Sequence, residues 1–130
     1  MKHLPFILAL TFFSLNLTAC DSGSTGGSTK RAGTSGDSPL TSPAGSPARM
    51  DNDEGIGHYQ QGHWDVASEH FRKAVKADPN SAVAYYNLGL TQDKMGKHDE
   101  ATASFKKAVE LAPNDPVIKD SEIVKKHITM

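Results

Sequence analysis

The chain repeats itself over residues 48–115, and this internal repeat constrains the fold more than any other feature. A copy that begins at Ala48 aligns without a gap with a copy that begins at Ala82, 34 residues later. A fixed period of this length indicates two similar supersecondary units that stack on one another. The identical aligned pairs include Gly55/Gly89, Gly62/Gly96, Asp65/Asp99, Ala67/Ala101, Phe71/Phe105, Ala74/Ala108, Val75/Val109 and Pro79/Pro113.

Each unit is predicted to consist of two helices that are separated by a glycine turn and closed by a proline. Apolar and small residues recur at helical spacing on both sides of Gly96, and Asp99 is placed to cap the second helix. Ser81 and Asp115 are placed to cap the helices that follow each unit. In the second copy the recurring residues are Tyr85, Leu88, Gly89 and Gln92, and then Ala101, Phe105, Ala108 and Val109.

This pattern resembles the tetratricopeptide repeat family. The resemblance implies an all-α fold, a short right-handed α-solenoid with repeats at residues 48–81 and 82–115. The first helix of repeat one is degenerate, because Asp51 and Glu54 stand where the family has an aromatic residue and a leucine. The residues that meet the family's packing pattern are Gly55, Ala67, Phe71, Ala74, Pro79, Tyr85, Leu88, Gly89, Ala101, Phe105, Ala108 and Pro113.

Residues 116–130 are predicted to form one amphipathic helix that resembles the capping helix of such arrays. Val117, Ile118, Ile123, Val124 and Ile128 are its apolar residues. Five helices in about 80 residues form a small core, and arrays of this kind usually need three repeats. We therefore expect marginal stability and a tendency to self-associate or to fold further on a partner.

The first nineteen residues have the anatomy of a signal peptide. Lys2 precedes an apolar run over residues 4–17, which is shorter than the roughly 20 residues that span a bilayer. A short transmembrane anchor or a buried helix is the alternative for this segment.

The run ends in Leu17-Thr18-Ala19-Cys20, which resembles a bacterial lipobox. The resemblance implies cleavage before Cys20 and a diacylglyceryl group on the only thiol of the chain, with no other cofactor. It also implies a lipid-anchored protein of the bacterial cell envelope. Asp21 resembles the signal for retention at the inner membrane, facing the periplasm, and the outer membrane remains the alternative.

Residues 20–47 are predicted to be a disordered tether behind the lipidated cysteine. Gly, Ser, Thr and Pro dominate it, and Leu40 is its only large apolar side chain. Such a segment buries too little apolar surface to offset the entropy lost on ordering. It is either a leash that lets the domain search near the membrane or an inert spacer.

The family resemblance implies a protein-interaction scaffold with a concave groove that binds a partner peptide or protein. Carried over by position, the groove residues are Ile56, Tyr59, Val83, Tyr86, Leu90, Asp93, Lys94 and Val124, and the further positions of the same face are Arg49, Asn52, Gln60, Val117, Asp120 and His127. A known subtype of the family clamps a terminal carboxylate. Asn87 matches that subtype, but Ile56, Val117 and Ser121 stand where Asn, Lys and Arg are needed, so this mode is rejected.

Other function classes find little support in the sequence. A net charge of −1 disfavours nucleic-acid binding. The five histidines at residues 58–127 show no helical zinc spacing, so we expect scattered, solvated side chains and no metal site. No nucleophile or phosphate-loop motif occurs, so we expect no enzyme. The alternative to an adaptor is a self-associating module, a homo-oligomer whose exposed repeat ends stack between chains.

Overall fold

The structure is a computed structural model that describes residues 38–129. The predicted signal peptide, Cys20, Asp21 and the tether up to residue 37 lie outside the described residues. The described part is all-α and contains no strand. Its helices are α1 (Arg49–Gln60), α2 (Trp64–Ala77), α3 (Ala82–Lys94), α4 (His98–Leu111), α5 (Pro116–Lys119) and α6 (Glu122–Ile128).

Two helical hairpins form the body of the fold. Helix α1 packs on α2, α3 packs on α4, and α2 joins the hairpins by packing on α3. Each hairpin turns at a glycine with a positive φ, 77° at Gly62 and 74° at Gly96. Side chains with a Cβ rarely adopt this left-handed conformation, so glycine is favoured at the end of the first helix. Helix α1 is formed, although the sequence marks the first helix of repeat one as degenerate.

The two hairpins bury equivalent residues between their helices. Phe71 and Phe105 are fully buried, and the small residues Ala67 and Ala101 let the helices approach closely. Ala74 and Ala108 are also fully buried and Leu88 nearly so, whereas Tyr85 is half-buried and Pro79 and Pro113 are exposed in the loops. The 34-residue pattern therefore corresponds to a repeated packing unit.

Helix capping agrees with the sequence at two of the predicted sites. The Ser81 hydroxyl accepts a hydrogen bond from the Ala84 amide at 3.2 Å, and the Asp115 carboxylate accepts one from the Val117 amide at 2.9 Å. The predicted cap at Asp99 is wrong. Helix α4 already begins at His98, so Asp99 lies in its first turn, where its charge still favours the positive end of the helix dipole.

The C-terminal segment differs from the predicted single capping helix. Helix α5 ends at Lys119 and α6 begins at Glu122, with Ser121 in an extended conformation between them. Asp and Ser compete with helical hydrogen bonding and favour such breaks. The break allows both Ile118 and Val124 to be buried in the same core cluster.

The C-terminal end of the predicted tether is ordered, contrary to the expectation for residues up to 47. Leu40 packs against the main core cluster, and Ser42 and Ala48 are buried. The Ser46 hydroxyl contacts the Asp78 carboxylate at 3.2 Å, which ties the approach to α1 to the end of α2. Composition alone missed this order because the stabilising partners lie far away in the sequence.

Within residues 38–129, no helix combines the length and the apolar character that crossing a membrane requires.

Candidate functional site

Two buried asparagines from different repeats meet on the inner side of the helix array. Asn52 lies on α1 and Asn87 on α3, and both are fully buried. The Asn87 Nδ2 atom donates a hydrogen bond to the Asn52 Oδ1 atom at 2.8 Å. A buried amide without partners is costly, so the surrounding groups must satisfy the remaining donors and acceptors of the pair.

The main chain of Leu40 provides hydrogen-bonding partners for both asparagines. Its amide donates to Asn87 Oδ1 at 2.7 Å, and its carbonyl oxygen accepts from Asn87 Nδ2 at 2.7 Å. The same carbonyl oxygen accepts a second hydrogen bond, from Asn52 Nδ2, at 2.9 Å. Both hydrogens of the Asn87 amide are therefore used, one on Leu40 and one on Asn52.

This arrangement holds the main chain of a segment that has no regular secondary structure. An asparagine side chain offers a donor and an acceptor side by side, so it pairs with a main-chain amide and carbonyl as a neighbouring strand would. Every residue except proline carries both groups, so the asparagines themselves do not depend on the side chain that they hold. The Leu40 side chain packs against the core cluster.

The structure places most of the predicted groove residues in the core and not along an open groove. Leu90 is fully buried, Val124 is 1% exposed, Tyr86 3%, Val83 6% and Tyr59 8%. Ile56 and Asp93 are half-buried, and Lys94 is exposed. The expectation that the apolar members form an accessible strip is therefore corrected.

The C-terminal helices explain much of this burial. The Tyr86 hydroxyl lies 3.4 Å from the Ser121 hydroxyl, and the Tyr86 ring packs at 5.9 Å from the Phe105 ring. Val124 of α6 joins the same cluster as Tyr86 and Leu90. In repeat one, Tyr59 packs edge-on against Trp64, with ring centroids 4.8 Å apart. Tyr86, Leu90 and Val124 are therefore buried together with the chain's own C-terminal helices, whereas Tyr59 packs against the start of α2.

The histidines are not scattered as the sequence suggested. His58 stacks on His70 with ring centroids 5.3 Å apart, and His70 Nδ1 lies 3.1 Å from Glu54 Oε2 and 3.8 Å from Asp51 Oδ1. The fold thus joins residues from α1 and α2 that no local spacing connects.

A second cluster forms where α3, α4 and α6 meet. The Oδ1 atom of Asp93 lies 3.0 Å from His98 Nδ1 and 2.9 Å from His127 Nε2. Partial burial alone would raise the pKa of Asp93, but hydrogen bonds and charge from His127 and His98 outweigh it, and the pKa lies below its usual value. The carboxylate is therefore held in its charged form.

The sequence contains a signal for the two asparagines but none for the segment that binds to them, residues 38–42. Asn52 and Asn87 are polar residues at positions that the family resemblance places on the binding face. No local pattern in residues 38–42 indicates that this segment binds to them. Leu40 reaches Asn87 across 47 residues of sequence. This long-range hydrogen bonding has no periodic signal.

Comparison with known proteins agrees with the repeated packing unit and the helical hairpins. The family profile described as tetratricopeptide repeat matches residues 52–116. No curated protein sequence matches the chain. The match extends over half of the chain and covers both hairpins, and the chain therefore belongs to the tetratricopeptide repeat family.

Proposed function

We propose that this protein is a lipid-anchored adaptor that binds an extended segment of a partner protein at Asn52 and Asn87. Membership of the tetratricopeptide repeat family supports a protein-interaction module, in a family that is typically not enzymatic. The observation that carries the proposal is the seating of the Leu40 main chain on both asparagines, at 2.7 to 2.9 Å. The chain's own segment, residues 38–42, is the first ligand of this site.

A partner must displace this segment before it can bind. Because residues 38–42 belong to the same chain, their effective concentration at the site is high, and a competing segment needs higher intrinsic affinity. The displaced residues belong to the C-terminal part of the predicted tether, residues 20–47. Partner binding would therefore release the start of the domain from its own surface.

The anchor rests on the sequence. Leu17-Thr18-Ala19-Cys20 supports lipidation at Cys20, and Asp21 supports retention at the inner membrane, with the domain in the periplasm. Several acyl chains give stable anchoring, where a single chain binds only marginally. The adaptor would thus hold its partner at the envelope membrane.

Peptide binding tests the proposal directly. In the full chain, Leu40→Pro removes both the main-chain N–H that donates to Asn87 and the leucine side chain, which weakens the binding of residues 38–42 to the site. We expect a labelled peptide of residues 37–43 to bind this variant at least about tenfold more tightly than the unmodified chain, measured by fluorescence anisotropy. The matched control is the same peptide with N-methyl-leucine, which lacks the amide hydrogen that is donated to Asn87 Oδ1. Equal binding of both peptides would contradict recognition of the main chain.

Photo-crosslinking in cells then tests the adaptor role. A photo-reactive residue at Lys94, which is exposed on α3, reports what approaches this end of the array. We expect a heterologous adduct in the unmodified protein and its loss in Asn87→Ala. An adduct that persists in Asn87→Ala would remove the asparagine pair from partner binding.

Self-association is a second candidate because a segment bound within one chain can bind a neighbouring chain by exchange. Stacking through apolar repeat ends has less support, since within residues 38–129 the large apolar side chains left exposed are Met50 and Val117. In the crosslinking experiment, adducts formed only with the protein itself would favour the exchange.

A further inference from the structure

We propose that Asp93, His98 and His127 form a binding site for a divalent transition metal ion, with Zn²⁺ as the probe. Their ligand atoms, one carboxylate oxygen and two imidazole nitrogens, all lie within 4.8 Å of one another. Two imidazoles and a carboxylate are a ligand set that suits zinc and its neighbours, and such a set leaves a further coordination position open.

The two distances to the carboxylate are slightly shorter than those between the ligands of a shared ion. Asp93 Oδ1 is 3.0 Å from His98 Nδ1 and 2.9 Å from His127 Nε2. Ligands at the usual zinc distances of about 2.0–2.2 Å in a tetrahedron stand roughly 3.3 Å apart. Small movements of the side chains would therefore admit the ion between them.

Thr102 supplies the second, independent observation. Its hydroxyl donates to the His98 carbonyl oxygen at 2.9 Å, so its single hydrogen is used. The same oxygen lies 3.0 Å from His127 Nδ1 and can only accept there, which assigns a hydrogen to Nδ1. In the neutral ring, Nε2 then carries a lone pair directed at Asp93.

A lone pair and a carboxylate oxygen at 2.9 Å repel one another unless a positive species lies between them. That species is either a second proton on the ring or a metal ion. The contact from Thr102 to the far side of the imidazole is the kind of outer contact that fixes the orientation of metal-ligating histidines. His127 is also held rigidly, with its side chain 4% exposed and its ring 5.2 Å from that of Phe105.

Access to the site is open. The His98 side chain is 65% exposed, and both histidines line a cavity of about 550 Å³ between α4 and α6. Lys106 and Lys126 line the same cavity, and their charge opposes a cation. We therefore expect micromolar affinity and not the tighter binding of closed structural zinc sites.

A bound ion would join three helices. Asp93 lies near the end of α3, His98 at the start of α4 and His127 near the end of α6. The ion would fasten the C-terminal helix over the core and stabilise the folded state in proportion to its occupancy.

The test is Zn²⁺ titration of the full chain carrying Cys20→Ser, so that no thiol competes. We expect one ion per chain and a rise in the midpoint of thermal unfolding on the order of 10 °C at 100-fold excess over Kd. His98→Gln should abolish binding without loss of fold because its side chain is largely exposed. His70→Gln is the matched control, since it removes the histidine of the other cluster and should leave the binding unchanged.

Two further readouts separate ligation from structural damage. Ring nitrogen shifts in NMR spectra should assign the metal to His127 Nε2 and His98 Nδ1, and Thr102→Val should weaken binding about tenfold or more. Binding that survives His98→Gln, or that is lost in His70→Gln, would overturn the proposal. A failure to bind any Zn²⁺ would identify the positive species as the ring proton and overturn it as well.

Discussion

The ring of Phe105 lies so close to Gly89 that a Cβ atom on Gly89 would stand 2.7 Å from the Phe105 Cε1 atom. The first repeat has the same relationship, with 2.6 Å between a Cβ on Gly55 and the Phe71 Cε1 atom. At each of the two positions, the absence of a side chain leaves room for an aromatic ring between two helices. Neither position has a positive φ, so packing and not backbone conformation excludes other residues.

Gly89→Ala should destabilise the protein by about 1–3 kcal/mol, because the added methyl group overpacks a core that cannot move aside. Gly57→Ala is the matched control: it lies in helix α1 with no atom within 4 Å of an added Cβ. There the change should stabilise by roughly 0.5–1 kcal/mol through helix propensity. Urea unfolding measures both variants, and equal effects would contradict the packing argument.

Asn87→Ala should cost about 2–3 kcal/mol, since it leaves the Oδ1 atom of buried Asn52 and the main-chain amide of Leu40 without the hydrogen bonds that Asn87 makes to them. Asn114→Ala, at an exposed turn position, should change stability by less than about 0.5 kcal/mol. Chemical denaturation compares the two variants. If Asn87→Ala lowers the free energy of unfolding only slightly, water replaces the asparagine amide as a hydrogen-bonding partner at little cost in stability.

The Leu40 amide should exchange slowly with solvent, although its residue precedes the first helix. Its hydrogen bond to buried Asn87 protects it until the segment detaches. Hydrogen exchange followed by NMR should show slow exchange of the Leu40 amide in the unmodified chain and fast exchange in Asn87→Ala. The Ala108 amide within α4 is the internal control, and its exchange should remain slow in both proteins. Fast exchange at Leu40 in the unmodified chain would show that residues 38–42 do not occupy the site.

Ser81→Ala should destabilise by about 1 kcal/mol because it removes the side-chain acceptor for the Ala84 amide at the start of α3. Ser81→Asn retains an acceptor at the same position and should recover most of the loss. Thermal unfolding of the pair distinguishes loss of the cap from loss of the buried side chain. Equal destabilisation by Ser81→Ala and Ser81→Asn would indicate that loss of the buried serine side chain, and not loss of the cap, lowers the stability.

Local sequence was sufficient for the repeat architecture. The period of 34 residues, the turn glycines Gly62 and Gly96, and the paired Phe71 and Phe105 are each set by neighbours within one helical hairpin. Hairpin packing depends on residues a few turns apart, so its pattern can be recognised from composition and spacing. The all-α fold and the family were therefore predictable from sequence.

Contacts between distant segments decided the site. The seating of Leu40 on Asn52 and Asn87, the burial of Tyr86 and Leu90, and the convergence of Asp93, His98 and His127 join segments that are separated in the chain. Hydrogen bonds of this kind leave no periodic trace because each depends on how whole helices are placed. The repeated helical scaffold follows from local patterns of residues, whereas the contacts among its polar groups depend on how whole helices and residues 38–42 are placed in space.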